Sequence, residues 1–170
     1  VYDQEPKEIQ QVFENDNEAE KSSKYIHNAN YRENGQRNFI SSGLKHAEND
    51  DLILISDVDE IPNLENLTNK KITNEIILFK QDMFYYKFNL RLPNFIWTGT
   101  KACKKKDLLS QQWLRNIKDK KYLFYRIDTL FSKTKYSNIK FINEGGWHFT
   151  NIKTAEEIRN KLKSYLHHRE

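Results

Sequence analysis

Residues 50–62 read DDLILISDVDEIP, in which four branched apolar residues, Leu52–Ile55, are followed within five positions by Asp57, Asp59 and Glu60, and then by Pro62. A continuous apolar run bounded by turn residues reads as a strand buried on both faces, the usual state of a central strand in a parallel sheet. The acids then stand at its carboxyl end, which is where open α/β sheets bind ligands. Two aspartates one residue apart project to the same side of an extended backbone. Their repulsion asks for a cation, and oxygen donors of this kind suit Mg²⁺ or Mn²⁺, which can bridge carboxylates to a diphosphate. The competing reading is an acidic turn, with Asp57 or Asp59 capping a short helix over NLENL, residues 63–67.

The chain on either side alternates helical and strand signals without an internal repeat, which is an α/β pattern. Residues 1–30 are polar and short of branched apolar side chains; they read as a loosely packed segment with a helix near Glu8–Glu14, preceding one folded domain over residues 31–170. In YRENGQRNFISSGLKHA, residues 31–47, Phe39, Ile40, Leu44 and Ala47 recur at helical spacing, with Arg32 and Gln36, and Glu33 and Arg37, each four apart. Downstream, EIILFKQDMFYYKFNLRL (75–92) supplies one or two strands, a helix is expected over Asp107–Lys118, and YLFYRI (122–127) and KFINEGGWHFT (140–150) read as strands. The stretch 153–168 is an amphipathic helix with Ala155, Ile158, Leu162 and Tyr165 inward.

At 170 residues, 37% hydrophobic and 31% charged, the composition is that of one soluble globular domain. No apolar run approaches the roughly 18 residues of a membrane span. The start, VYDQEPKEIQQ, has no secretory pattern, so any targeting element is expected outside this chain. Cys103 is the only cysteine, which excludes an internal disulfide and a multi-cysteine zinc site and fits a reducing compartment. A cytoplasmic location, peripheral to a membrane at most, is therefore expected. Charge is unevenly placed: residues 1–34 carry eight acids against four Lys/Arg, whereas residues 101–140 carry twelve Lys/Arg against three acids. That basic half could face nucleic acid, anionic lipid or a phosphorylated substrate, or be a solvated surface.

A second constellation is NEGGWHFT, residues 143–150. Paired glycines permit a close backbone approach, and His148 after them can ligate a metal or carry a proton; the alternative is a satisfied core histidine. Arg32, Gln36 and Arg37 form a third set, able to hold phosphates or a base, or simply to pair with Glu33 on the surface.

Taken together, YRENGQRNFISSGL, DDLILISDVDEIP, FYYKFNLRL with WTGTKA, and NEGGWHFT resemble, in order and approximate spacing, glycosyltransferase family 17, a family of β-1,4-N-acetylglucosaminyltransferases. The resemblance runs from about Tyr31 to His168. It implies a GT-A-like fold, a Rossmann-like mixed sheet flanked by helices, and metal-dependent inverting transfer of a sugar from a nucleotide-sugar, UDP-GlcNAc, to a glycan hydroxyl. By that resemblance Asp57 and Asp59 fall on the DXD metal motif for Mn²⁺ (or Mg²⁺), completed by Glu60 and Pro62, and His148 is a further metal ligand. Arg32, Gln36 and Arg37 would contact the donor's phosphate or nucleotide, and Trp97, Gly99 and Thr100 would line the sugar pocket. Glu144 and Glu60 are the candidate general bases, since the acceptor hydroxyl must lose a proton.

A complete domain of that kind opens with one or two βα units, and residues 1–30 hold no four-residue apolar run. The sheet is therefore expected to lack the first βα unit, and an exposed edge favours self-association. Two other functions stay open. One is a catalytically inactive glycan-binding or partner subunit; the other is a basic nucleic-acid or phosphate-binding module, drawing on KACKKK (101–106) and the aromatics of FYYKFNLRL. The resemblance itself implies a donor and an acceptor as partners, and no nucleic acid.

Overall fold

The structure is a computed structural model that describes residues 2–68 and 75–164. In chain order the elements are α1 (Glu18–Phe39), a 3₁₀ turn (Ile40–Leu44), β1 (Leu52–Ile55), β2 (Glu60–Pro62), α2 (Glu65–Thr68), β3 (Ile76–Tyr85) and β4 (Arg91–Lys104). A second 3₁₀ turn (Lys105–Asp107), α3 (Gln111–Asn116), α4 (Ile127–Leu130), β5 (Ile139–Ile142), β6 (Gly146–Thr150) and α5 (Ala155–Ser164) follow. The protein is thus mixed α/β. Among the described residues no helix is long and apolar enough to cross a membrane. The chain divides into two compact units, Val1–Lys45 with Lys153–Glu170, and His46–Ile152.

In the first unit the long helix α1 starts where Asn17 and Glu20 form a reciprocal capping box, which satisfies two of the helix's open N–H groups. Residues 8–14 are not helical; this segment runs as a strap along α1, where Asn28 and Gln10 exchange two hydrogen bonds of 2.8 Å. Further along, Lys24 pairs with Asp16 at 2.7 Å and Arg32 with Glu5 at 3.1 Å. Gly35 leaves room for the Tyr2 ring, whose hydroxyl a Cβ would meet at 2.2 Å. The helix expected over residues 31–47 therefore begins much earlier and tightens into the 3₁₀ turn at Ile40. Of the two expected i,i+4 pairs, Glu33–Arg37 forms at 2.8 Å, while Arg32 turns instead to Glu5. In α5, Ile158 is partly buried but Ala155 and Leu162 are exposed. Tyr165 lies outside the described residues.

The second unit is built on one mixed sheet with strand order β1-β4-β3-β6-β2, and β5 also pairs with β3. β3 is its axis: Ile76, Ile77, Leu78 and Phe79 are fully buried. β3 pairs antiparallel with β4 on one side and parallel with β5 and then β6 on the other. Leu67, Ile77, Phe79, Ala102 and Ile142 form a core cluster, against which Leu52 and Leu54 pack.

β1 was expected as a central parallel strand and is neither. It stands at one end of the sheet, antiparallel to β4, with only alternate side chains buried. The IILF run of β3 takes the central place, with all four residues buried and β4 and β5 paired on either side. YLFYRI is no strand either: Leu123, Phe124 and Tyr125 are exposed in a loop that leads into α4, and Ile127, also exposed, opens that helix.

One consequence of this order shapes the site. β1 and β2 end the sheet on opposite sides, yet only five residue steps separate Ile55 from Glu60. Five steps reach at most about 18 Å, and four strand spacings of about 4.8 Å in a flat sheet already exceed that. The sheet must curl, and the acidic turn spans the gap between its two ends.

Candidate functional site

The turn is held from both sides. At the end of β1 the Ser56 hydroxyl meets that of Thr100 on β4, and Glu60 N–H donates back to Asp57 O at 3.0 Å. Beyond it, β2 pairs antiparallel with β6, which sets Glu60 opposite His148 and Pro62 opposite Gly146. Gly146 has φ +122°, and a Cβ there would meet Ile61 O at 2.0 Å, so the paired glycines do supply the close approach that brings β6 against β2.

Glu60 is buried and fully engaged. Arg115 Nη1 donates to its Oε2 at 2.9 Å and Nη2 to Oε1 at 3.0 Å, the Trp97 indole N–H donates to Oε1 at 2.9 Å, and Asp57 N–H donates to Oε2 at 3.0 Å. Arg115 also donates to Gly99 O at 2.8 Å and, through Nη2, to Asp57 Oδ2 at 2.7 Å. One guanidinium from α3 therefore ties the acidic turn, β2 and β4 together across the curl. Its planar fork suits this multidentate work.

Arg115 is itself positioned. Ser110 caps α3, accepting from Trp113 N–H at 3.0 Å, and Trp113 Nε1 donates to Lys133 O at 2.7 Å. At the other end of the helix Lys101 Nζ donates to the carbonyls of Arg115, at 2.6 Å, and Ile117, at 2.5 Å. Burial, with Arg115 nearby, pulls the Lys101 ammonium down to about 8.

The two aspartates differ from Glu60 in being reachable: the Asp57 and Asp59 side chains are 40% and 39% exposed, that of Glu60 only 1%. Asp59 Oδ2 lies 3.2 Å from His148 Nε2. The His148 ring is buried beside Trp97, with centroids 5.1 Å apart, and its Nδ1 is buried without a hydrogen-bond partner among the described residues. A buried ring nitrogen left without a partner costs about 1–3 kcal/mol.

Trp97, Gly99 and Thr100 lie along β4 at the same place. Gly99 is needed for packing: a Cβ would meet Gln81 Oε1 at 1.8 Å and Glu60 Cδ at 2.9 Å. Thr100 is fully buried and bonded to Gln81, so it supports the site from beneath. Trp97 lines a cleft of about 780 Å³ together with Thr98, Lys101, Arg115, Lys118 and Asp119. Its size is within the usual range for small-molecule sites.

Within the second unit the other expected base stands apart. Glu144, at φ +51° in the β5–β6 turn, lines a different cleft with Lys80, Asp82, Arg91 and Ile96. Lys80, Asp82 and Ile96 alternate along their strands with Gln81, Met83 and Trp97, which are in register with each other or with His148. Strand alternation therefore puts that cleft on the sheet face opposite Glu60 and His148. Neither expected base is thus presented beside the aspartates: Glu60 has its oxygens filled, and Glu144 is on the other face. Arg32, Gln36 and Arg37 belong to α1 in the first unit, where Arg32 and Arg37 are engaged by Glu5 and Glu33.

The fit of a metal is partial. Two neighbouring ligands of an octahedral ion with bonds of about 2.1 Å stand about 3 Å apart, and the Asp59 Oδ2–His148 Nε2 pair has that spacing. Asp57 instead points an oxygen at Arg115, and among the described residues no three His, Cys, Asp or Glu side chains converge on one point. Arg115, Lys101 and Gln81 were not singled out by sequence. Arg115 is one cation among twelve in the basic segment, and nothing in the order of residues distinguishes it. Compared with protein-family models, curated proteins and solved structures, the chain matches none.

Proposed function

We propose that this protein is a nucleotide-sugar transferase of GT-A-like ancestry, moving a sugar, GlcNAc from UDP-GlcNAc, onto a glycan hydroxyl with a divalent cation. The observation that carries the reading is His148: buried, with Nε2 set 3.2 Å from an exposed aspartate of the acidic turn. Asp59 and His148 would hold one edge of the ion's coordination shell. When bound, Mn²⁺ or Mg²⁺ would offset the charge that grows on the leaving diphosphate.

The chain's own residues do the rest of the work. Arg115, pinned by Glu60 and by Lys101 behind it, keeps Asp57 in place, so the turn is preorganised before any ligand arrives. Lys118 on the rim of the adjoining cleft offers positive charge to phosphate oxygens, and Trp97 offers an apolar wall for a sugar ring. Trp97 is fixed for that use by its indole bond to Glu60.

The test is a thermal-shift titration with Mn²⁺, UDP, and both together, followed by a hydrolysis screen of UDP-, GDP- and CMP-sugars. A rise in melting temperature that needs Mn²⁺ and UDP together, and that Asp59→Asn and His148→Ala abolish, supports the proposal. Absence of protection and of hydrolysis with every donor would leave an inactive glycan-binding or partner subunit as the better description.

A further inference from the structure

The loop between α3 and β5 has an architecture that the transferase reading does not use. Its two arms are tied together: Lys118 N–H donates to Thr134 O at 2.9 Å, and Tyr122 N–H donates to Tyr136 O at 3.1 Å. Trp113 braces the returning arm through Lys133 O and by ring contact with Tyr136 at 6.0 Å. Beyond this neck, Leu123, Phe124, Tyr125, Ile127, Leu130 and Phe131 are between 55% and 85% exposed. Six large apolar side chains within nine positions on one projecting loop are far more than the scattered exposed hydrophobics of an ordinary surface. Inside the tip, Arg126, Thr129 and Ser132 N–H groups donate to the carbonyls of Leu123, Arg126 and Thr129, so part of the backbone is satisfied within the loop.

Most of the charge is on the neck, while Arg126 and Asp128 are ion-paired inside the tip. Lys120 and Lys121 lie on the outgoing arm and Lys133 and Lys135 on the returning one; residues 118–135 hold six Lys/Arg against Asp119 and Asp128. Arg126 and Lys135 both pair with Asp128, which leaves the balance of the loop positive. An apolar tip above a basic collar is complementary to one kind of surface: the acyl boundary of a bilayer, with anionic headgroups at the level of the collar. A second copy would set one positive collar against another. Single-stranded nucleic acid would stack on Phe124 and Tyr125, but it gives no use to the aliphatic Leu123, Ile127 and Leu130.

We propose that the 119–135 loop is a membrane-interface anchor that inserts its apolar tip into anionic bilayers, bringing the acidic-turn site to lipid-borne or surface-bound substrates. The inference is independent of the chemistry of that site.

Cosedimentation of the full chain with phosphatidylcholine vesicles, with and without phosphatidylglycerol, tests it. Binding is expected to be strong on the anionic vesicles and weak on the neutral ones. Lys120→Ala and Lys121→Ala should each weaken anionic binding about fivefold, the equivalent of about 1 kcal/mol per charge. Phe124→Asp and Phe131→Asp should reduce it at least about tenfold without lowering the melting temperature, because both rings are exposed; Leu162→Asp on α5 should leave binding unchanged. The proposal is overturned if anionic vesicles do not bind, or if the two tip substitutions leave binding intact. It is also overturned if those substitutions act by dissolving a dimer in lipid-free sedimentation, or if an oligothymidine binds through the tip in place of vesicles.

Discussion

Arg115 grips Glu60 with both prongs of its guanidinium, Nη1 to Oε2 at 2.9 Å and Nη2 to Oε1 at 3.0 Å, while Nη2 also reaches Asp57 at 2.7 Å. Removing one partner of a buried pair leaves the other charge uncompensated, which costs about 3–5 kcal/mol. Arg115→Ala is expected to lower the melting temperature by on the order of 10 °C. Arg115→Ala combined with Glu60→Gln should recover part of that loss, since no bare carboxylate remains. A single variant within 2 °C of wild type, on the same scale, would show that water reaches Glu60.

The two aspartates should respond differently to the same substitution. If mutual repulsion governed both, losing either would hold or raise stability. Asp57 has a strong partner in Arg115, so Asp57→Asn should cost about 0.5–1 kcal/mol for this half-exposed pair. Asp59→Asn should cost less, yet on the proposed metal role it should weaken Mn²⁺ binding by at least about tenfold. Calorimetric titration of both variants decides; equal Mn²⁺ affinities would remove Asp59 from the metal role.

Lys101 makes stability depend on alkaline pH. Burial first, then Arg115, lowers its ammonium from 10.5 to about 8 in the folded chain. Between those values the unfolded chain binds more protons, so stability attributable to Lys101 rises with pH, by up to about 3 kcal/mol, and is flat below about pH 8. The gap in unfolding free energy between wild type and Lys101→Met should widen in favour of wild type from pH 8 to pH 10. A constant gap would mean that the carbonyls of Arg115 and Ile117 hold the ammonium at its ordinary value.

Cys103 is expected to be inert in the folded protein. It is buried on β4, and burial, with Asp107 and Glu75 adding to it, pushes the thiol up to about 12. Alkylation by iodoacetamide at mild alkaline pH should be at least about a hundredfold slower in the native state than in denaturant, because only the thiolate reacts. Comparable rates would place Cys103 on a segment that opens readily.

Much of this was legible in the chain. The LILI and IILF runs, the FINEGGWHFT element and the acids before Pro62 all became strands or the turn they suggested, since apolar runs and glycine pairs carry local signals. The rank of the runs was not legible. LILI and IILF look alike as sequence, and only the pairing of β3 with β4, β5 and β6 makes the second central and leaves β1 at one end. Likewise YLFYRI has strand composition, but it found no neighbouring strand and projects as a loop tip.

What the sequence determined by itself is the kind of chemistry on offer: two aspartates at the end of an apolar strand, and a histidine after two glycines. These are local facts of composition and order. Tertiary structure alone decided which of them meet. The short link from β1 to β2 forces the sheet to curl, the β2–β6 register sets Glu60 opposite His148, and Arg115 arrives from 55 residues away to neutralise a buried carboxylate. Charge compensation inside a fold depends on distance in space, and distance in space is fixed by strand pairing, which no short stretch of the chain encodes on its own.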